Sequence, residues 1–336
     1  MKKPPVVKRK KPLWMKILVL LIALAFLLVL SGMAFEAIAS KNFPPEGKLV
    51  DAGGFKLHLH KQGEGKPTIL FETGSGMASS SWGDLPKELS RYGTVVTYDR
   101  GGYAWSEEPT TERTGDNIIQ EFYTALKNEE IDGPYILVGH SLGGMYARLF
   151  AQTYPDEVEG IVLLDSRPEN YSKETKPFLI EAGLDPVLIN SPSATMSTLL
   201  KRVGVIRLMK NSILPDLSEK EQDFALNVEL QPKFFQAQEQ ELRNRTRLEN
   251  SIRGQTLGEI PLTVITRGIP TDTTALGISP ENSRQMEAIW QEQQKQQLTL
   301  STDSKLIVAE KSGHFIAEDE PDLVFNAIKE QIEKID

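Results

Sequence analysis

The apolar positions divide the chain into one long apolar segment near the start and a series of short apolar runs after it. Residues 17–35 contain no charged side chain. The later runs are mostly continuous rather than alternating, which is typical of central strands buried on both faces of a sheet. These runs lie at 68–76, 94–98, 135–139, 160–166, 261–268 and 305–314.

Amphipathic stretches between the runs predict helices, for example at 116–126, 142–154 and 323–335. Strands that alternate with helices favour a mostly parallel sheet covered by helices on its faces. Residues 48–63 instead predict a hairpin turning at Gly53 and Gly54, and we expect this hairpin at one antiparallel edge of the sheet.

One long interval breaks this alternation. About 95 residues separate the run ending at Ser166 from the run at 261–268, and they contain helical patterns without a comparable apolar run. We therefore predict a core built from 48–168 and 258–336, with an inserted helical cap at 169–257. The large apolar residues of the cap are expected mainly in its own core; they are Leu199, Leu200, Met209, Phe234 and Phe235.

Charge is distributed unevenly. The chain of 336 residues carries a net charge of −8, and its first 16 residues carry seven Lys or Arg and no acid, so the remainder carries −15. An acidic body argues against nucleic acid as a partner, because phosphates would repel it. The chain has no cysteine, which excludes thiol catalysis and Cys-ligated metal centres.

The long apolar segment predicts a membrane helix at 17–36, since about 20 apolar residues cross a bilayer. The basic tip at 1–16 predicts a cytoplasmic N-terminus, with the body outside the cell after a linker at 37–47. A cleaved signal peptide is the alternative, because Ala37 and Ala39 form a small-residue cleavage pattern. The apolar segment is longer than the apolar region of most signal peptides, which favours a single-pass anchor in the cell membrane. The lipid bilayer would then be a partner of the chain.

The most informative motif is Gly139-His140-Ser141-Leu142-Gly143, between an apolar run and a helical pattern. It matches G-x-S-x-G, in which a sharp strand-to-helix turn exposes a serine hydroxyl at the end of the strand. Glycine avoids side-chain clashes across such a turn. The motif predicts Ser141 as a nucleophile.

With this motif, the strand end "YDRGGYAWS" and the C-terminal "SGHFIAEDEPDLV", the chain resembles the α/β-hydrolase superfamily over roughly 48–335. The resemblance implies an α/β-hydrolase fold with an inserted cap. It also implies that the loop after the last strand delivers the base, which identifies His314. His58 and His60 are interpreted as ordinary strand residues, and His140 as a residue that packs the elbow or lines the pocket.

Two aspartates are candidates for the acid that orients His314. Asp165 ends the apolar run after the elbow helix, where one group of relatives, some haloalkane dehalogenases, keeps its acid. Asp272 follows the run at 261–268, where most of the superfamily keeps its acid, but its spacing is about one residue longer than usual. We favour Asp165 and keep Asp272 as the alternative.

An oxyanion needs two N–H donors. Leu142, directly after the nucleophile, would supply one, and the loop "TGSG" would supply the other through Ser75 or Gly76. Many relatives begin this loop with His-Gly, whereas here it begins with Thr73. Asp99 and Arg100 are interpreted as structural.

These residues predict a serine hydrolase acting on a small ester through an acyl-enzyme, with no cofactor and no metal. Two alternatives remain open. A peptidase of the proline iminopeptidase type would use cap acids such as Glu239 and Glu241 to hold an amino terminus, although a solvated helix face is the expectation for both. A ligand-binding member of the superfamily without turnover is the other. The sequence gives no indication of oligomeric state.

Overall fold

The structure, a computed structural model, describes residues 12–189 and 193–335. It contains an eight-stranded sheet in the order β1-β2-β4-β3-β5-β6-β7-β8. The strands are β1 Lys48–Asp51, β2 Lys56–Gln62, β3 Thr68–Glu72, β4 Thr94–Asp99, β5 Tyr135–His140, β6 Val158–Leu164, β7 Leu262–Arg267 and β8 Ser304–Ala309.

β1 and β2 form the predicted antiparallel hairpin, and β2 also pairs antiparallel with β4. All other neighbouring strands are parallel. The central strands β3, β4, β5 and β7 are buried along their whole length, which explains their continuous apolar runs. The predicted α/β-hydrolase fold class is confirmed.

Helices cover both faces of the sheet. The helices are α1 Leu13–Ala39, α2 Leu85–Leu89, α3 Gly115–Asn128, α4 Leu142–Thr153, α5 Tyr171–Glu181, α6 Ala194–Arg202, α7 Val205–Leu208, α8 Lys210–Ile213, α9 Glu219–Phe224, α10 Pro232–Ile252, α11 Pro280–Gln296, α12 Ile316–Asp319 and α13 Pro321–Ile335. Phe122 of α3 and Phe150 of α4 pack in the core on one face, and Ile328 of α13 packs in the core on the other.

Six of the helices, α5 to α10, lie between β6 and β7, where the sequence predicts an inserted cap. Within this segment Phe234 is buried, whereas Leu200 and Phe235 are half-buried. Leu199 and Met209 are 53% and 50% exposed, so the expectation of a core position is wrong for these two. Leu199 lies on the exposed face of α6, and Met209 lies in the turn between α7 and α8.

α1 is longer than the apolar segment predicted at 17–36, because helix-forming residues continue the helix to Ala39 through the start of the expected linker. Its stretch Leu13–Ala34 is long and apolar enough to cross a membrane, and its described side chains are mostly exposed. The expected basic tip lies largely outside the described residues, since it includes 1–11.

The chain between α1 and β1 is attached to the body. The indole Nε1–H of Trp105 donates to the carbonyl oxygen of Phe43 at 3.0 Å. The backbone N–H of Gly47 donates to Nε2 of His58 at 3.2 Å, while Nδ1 of His58 is 2.8 Å from Asp99. His58, expected to be an ordinary strand residue, therefore anchors this linker.

Candidate active site

The nucleophile elbow lies between β5 and α4. Ser141 has φ 53° and ψ −120°, a backbone conformation that residues other than glycine rarely adopt. Its N–H donates to the carbonyl oxygen of Leu164 at 3.1 Å, and its own carbonyl accepts from Arg167 at 2.9 Å. These two bonds hold the strained turn against the end of β6.

Two glycines of the motif are required by close contacts. A Cβ on Gly139 would lie 2.6 Å from Cα of Gly144, across the turn. A Cβ on Gly143 would lie 2.2 Å from the carbonyl oxygen of Glu72. The second requirement differs from the sequence argument, because Gly143 makes room for the end of β3 rather than for Gly139. The elbow and the loop after β3 are therefore in direct contact.

Ser141, His314 and Asp165 form a continuous hydrogen-bonded chain. Nε2 of His314 is 2.9 Å from Oγ of Ser141, and Nδ1 of His314 is 2.6 Å from Oδ2 of Asp165. The three residues follow β5, β8 and β6, so the carboxyl ends of parallel strands bring them to one edge of the sheet. A serine, an imidazole and a carboxylate in this order form the arrangement that activates a hydroxyl nucleophile.

Asp165 is fully buried and surrounded by donors. Its carboxylate accepts from Nε1 of Trp290 at 2.8 Å and from Nη1 of Arg267 at 2.5 Å. Burial alone would raise the pKa of Asp165, but the hydrogen bond from His314 and the charge of Arg267 outweigh it, and the pKa is lowered. The carboxylate is thus held in its charged form beside the imidazole.

Arg267 connects Asp165 to a second carboxylate. Its Nη2 is 2.6 Å from Oε2 of Glu287, and its guanidinium lies 4.5 Å from the ring centre of Trp290. Neither Arg267 nor Trp290 was identified from the sequence. Arg267 stands at the end of a strand-like run, which is a weak signal, and Trp290 belongs to α11, for which the sequence analysis predicted no helix.

Asp272, the alternative acid, lies in an exposed loop. Its carboxylate accepts from the N–H of Thr274 at 2.9 Å, and this backbone hydrogen bond is the main cause that lowers the pKa of Asp272. The carboxylate closes a local turn. Nδ1 of His314 forms its hydrogen bond with Asp165 instead, and this geometry favours Asp165 as the partner of His314.

His140 supports the loop that carries His314. Its Nε2 lies 2.8 Å from the carbonyl oxygen of His314 and must carry the proton, because a carbonyl only accepts. Burial lowers the pKa of His140 to about 4. The residue expected to pack the elbow or line the pocket therefore does more, because as a neutral donor it fixes the backbone of His314. It also lines a cavity of about 130 Å³ with Met77, Trp82 and Phe315.

The candidate oxyanion donors lie on two segments that meet at the elbow. Leu142 begins α4, and the first N–H groups of a helix have no acceptor within the helix. Ser75 and Gly76 lie half-buried in the loop after β3. Gly74 of this loop approaches His140 so closely that a Cβ on it would lie 2.9 Å from Nδ1.

A buried arginine fixes this loop. Nη1 of Arg100 donates to the carbonyl oxygen of Thr73 at 2.8 Å, and Nη2 donates to that of Gly74 at 2.8 Å. Arg100 thus braces the loop that lacks the usual His-Gly start, which is the structural role expected for it.

Arg100 also bridges two buried acids. It bonds to Glu72 at 2.9 Å and to Glu241 of α10 at 3.1 Å, and Glu241 accepts from Tyr103 at 2.9 Å as well. Burial raises the pKa of Glu72 to about 7, although Arg100 and Tyr98 act in the opposite direction. The expectation that Glu241 lies on a solvated helix face is wrong, because Glu241 is buried. Its partners Arg100 and Tyr103 come from a distant part of the chain.

Comparisons with known proteins agree with this architecture. A family model of the alpha/beta hydrolase fold matches residues 67–199. The Bacillus subtilis protein YbdG is 30% identical over 174 residues, which are 48% of this chain and 53% of YbdG. The chain therefore spans about half the length of that relative. The 2-hydroxymuconate semialdehyde hydrolase of Pseudomonas sp. is 30% identical over 187 residues, which are 53% of this chain and 62% of that protein.

Solved structures show the same fold. The epoxide hydrolase VrEH1 from Vigna radiata superposes with a TM-score of 0.64 at 18% identity, covering 86% of this chain and 98% of that one. A thermophilic esterase from Thermogutta terrifontis gives a TM-score of 0.56 at 17% identity, with the same coverage. The chain therefore has the fold of the alpha/beta hydrolases.

Proposed function

We propose that this chain is a membrane-anchored serine hydrolase that cleaves a small carboxylic ester. The observation that carries the proposal is the chain of hydrogen bonds from Ser141 through His314 to the buried carboxylate of Asp165. Similarity to a named hydrolase, the 2-hydroxymuconate semialdehyde hydrolase, supports hydrolytic chemistry in general.

In the proposed reaction, Oγ of Ser141 attacks the ester carbonyl carbon while its proton passes to Nε2 of His314. Asp165 holds Nδ1–H of His314 and stabilises the imidazolium. The negative charge on the former carbonyl oxygen is accepted by the N–H of Leu142 and by that of Ser75 or Gly76.

His314 then returns the proton to the departing alcohol oxygen, and the C–O bond breaks to leave an acyl group on Ser141. Water attacks this acyl-enzyme and gives one proton to His314. The proton passes back to Oγ of Ser141 as the carboxylic acid leaves, so that the free enzyme is restored.

The serine at the elbow separates this chemistry from that of epoxide hydrolases, which use aspartate at the corresponding position. The likeness to VrEH1 therefore supports the fold and not the reaction. The peptidase alternative loses support, because Glu241 is buried against Arg100. Glu239, the other acid, accepts from the N–H of Ala194 at 2.5 Å and pairs with Arg243.

The proposed anchor is α1, with the body outside the cell as the basic tip at 1–16 predicts. The continuation of the helix through Ala39 supports an uncleaved segment, because it places the candidate cleavage site inside a regular helix. Labelling of Val308→Cys by a membrane-impermeant maleimide in intact cells tests this orientation, since the wild-type chain has no cysteine. Labelling only after lysis would contradict it.

The reaction is tested with the full chain in detergent, using p-nitrophenyl esters of increasing acyl length alongside Ser141→Ala. We expect turnover by the wild-type chain and none by the Ser141→Ala variant. Absence of turnover, together with no labelling of Ser141 by a fluorophosphonate, would contradict the proposal and favour a ligand-binding protein.

A further inference from the structure

The cap segment 194–217, which contains α6, α7 and α8, carries several exposed apolar side chains. Leu208 is 87% exposed. Large apolar residues usually lie inside a protein, and a contiguous exposed patch of them marks an interaction site. The cap apolar surface, as we name it, consists of Met196, Leu199, Val203, Leu208, Met209, Ile213 and Leu217.

In α6 the amphipathic pattern is reversed. Its exposed face carries Met196 and Leu199, and Val203, directly after the end of α6, continues this side of the helix at the i+7 position from Met196. Its buried face carries polar residues, and Nζ of Lys201 there donates to the carbonyl oxygen of Leu226. A helix that directs its polar face into the protein and its apolar face outward is arranged for an apolar environment.

α1 brings this surface next to the proposed membrane span. A Cβ on Gly32 of α1 would lie 2.7 Å from the carbonyl oxygen of Arg202, so α1 and the end of α6 are in direct backbone contact. Gly32 is two residues before the end of the apolar stretch Leu13–Ala34. At 1.5 Å per residue, the contact lies about 3 Å inside that end, at the boundary between hydrocarbon and headgroups.

The charge of the segment fits the same environment. Residues 194–217 carry four basic side chains and one acid, a net charge of +3 within a body of −15. Positive charge beside an apolar helix face is typical of segments that lie in the plane of a membrane interface. The hydrogen bonds of Phe43 and Gly47 to the body keep this segment from rotating freely about α1.

We propose that the cap apolar surface is embedded in the headgroup–acyl boundary of the same bilayer that α1 crosses. The inference rests on the proposed membrane anchoring. It adds a second contact with the lipid, which fixes the orientation of the hydrolase body relative to the membrane.

The test uses single-cysteine variants of the full chain in phospholipid nanodiscs, labelled with an environment-sensitive fluorophore. The probes are Leu208→Cys, Met209→Cys and Ile213→Cys in the surface, and Leu24→Cys in α1. Val308→Cys is the matched control, because it is 41% exposed but lies on β8, at the sheet edge opposite the hairpin. Lipids with a nitroxide near the headgroup or near the end of the acyl chain report the depth of each probe.

We expect the three surface probes to be quenched at least twofold by the shallow nitroxide. Leu24→Cys should be quenched best by the deep one, and Val308→Cys by neither. Quenching of Leu24→Cys without quenching of the surface probes would overturn this inference and leave the anchor intact. No quenching at any probe would overturn the anchor as well, and quenching of Val308→Cys would show unspecific adsorption and overturn the embedding.

Discussion

Nε2 of His140 donates a hydrogen bond to the carbonyl oxygen of His314 at 2.8 Å, so the residue before Ser141 holds the backbone of the proposed base. The contact joins the elbow to the loop after β8 and leaves both side-chain nitrogens of His314 for their hydrogen bonds to Asp165 and Ser141. Any change that breaks it should misplace the imidazole relative to Ser141.

His140→Phe should therefore lower kcat for a p-nitrophenyl ester by about tenfold, the equivalent of one lost hydrogen bond, with KM nearly unchanged. His140→Gln retains an N–H donor and should recover most of kcat. Because the pKa of His140 is lowered to about 4, titration of His140 should leave no step in the wild-type activity above pH 5. Equal losses in both variants would indicate a packing role instead.

The assignment of the triad acid leads to a paired test. Asp165→Asn should reduce kcat by about 10³- to 10⁴-fold, because His314 would lose its orienting carboxylate. Asp272→Asn should retain activity within twofold, since Asp272 bonds only locally to Thr274. A severe loss in Asp272→Asn, with Asp165→Asn active, would reverse the assignment.

The sequence narrowed the acid to two candidates and favoured Asp165, but it left Asp272 open because both aspartates stand at or after the end of a strand-like run. The choice depends on Arg267 and Trp290, which donate to Asp165 from 102 and 125 residues away. Such partners are brought together only by the packed sheet and by α11. The strands themselves were predictable, since burial on both faces leaves continuous apolar runs.

Two features of the cap were mispredicted for a related physical reason. From sequence alone, a charged residue such as Glu241 on a polar helix is predicted to face solvent, because the sequence does not show which residue pairs with it. In the structure its partner is the buried Arg100. The face of α6 with Met196 and Leu199 is apolar in the sequence, but periodicity does not say whether an apolar face contacts protein or another apolar phase.

Removal of Arg267 should affect both stability and the pH dependence of activity. Arg267→Met leaves the buried Asp165 and the half-buried Glu287 without their cation, and breaking a buried pair in this way destabilises by about 3–5 kcal/mol. The charge of Arg267 helps to lower the pKa of Asp165, so this pKa should rise in the variant. Activity should then be lost at a higher pH on acidification than in the wild type.

Chemical unfolding and the pH profile of kcat/KM measure the two effects. Asp165 stabilises the fold above its ordinary pKa, and this contribution is lost as the pH falls through its lowered folded value. Glu287→Gln is the matched control, because it removes one partner of Arg267 but leaves the pair with Asp165. An unchanged acid limb in Arg267→Met would contradict the proposed electrostatic role.

Glu72 should contribute a pH dependence of stability whose sign is opposite to that of Asp165. Its pKa is raised by burial from the ordinary 4.5 to about 7, so the folded state retains a proton that the unfolded chain has lost. Wild-type stability should fall as the pH rises from 4.5 to 7, relative to the isosteric Glu72→Gln. The difference should reach on the order of 3 kcal/mol.

Urea unfolding of both proteins across this pH range tests the prediction. Glu239→Gln provides a control of the reverse sign, because the hydrogen bond from Ala194 lowers the pKa of Glu239 and its contribution is lost as the pH falls. A free energy of unfolding that changes equally with pH in wild type and Glu72→Gln would mean that Glu72 is charged throughout.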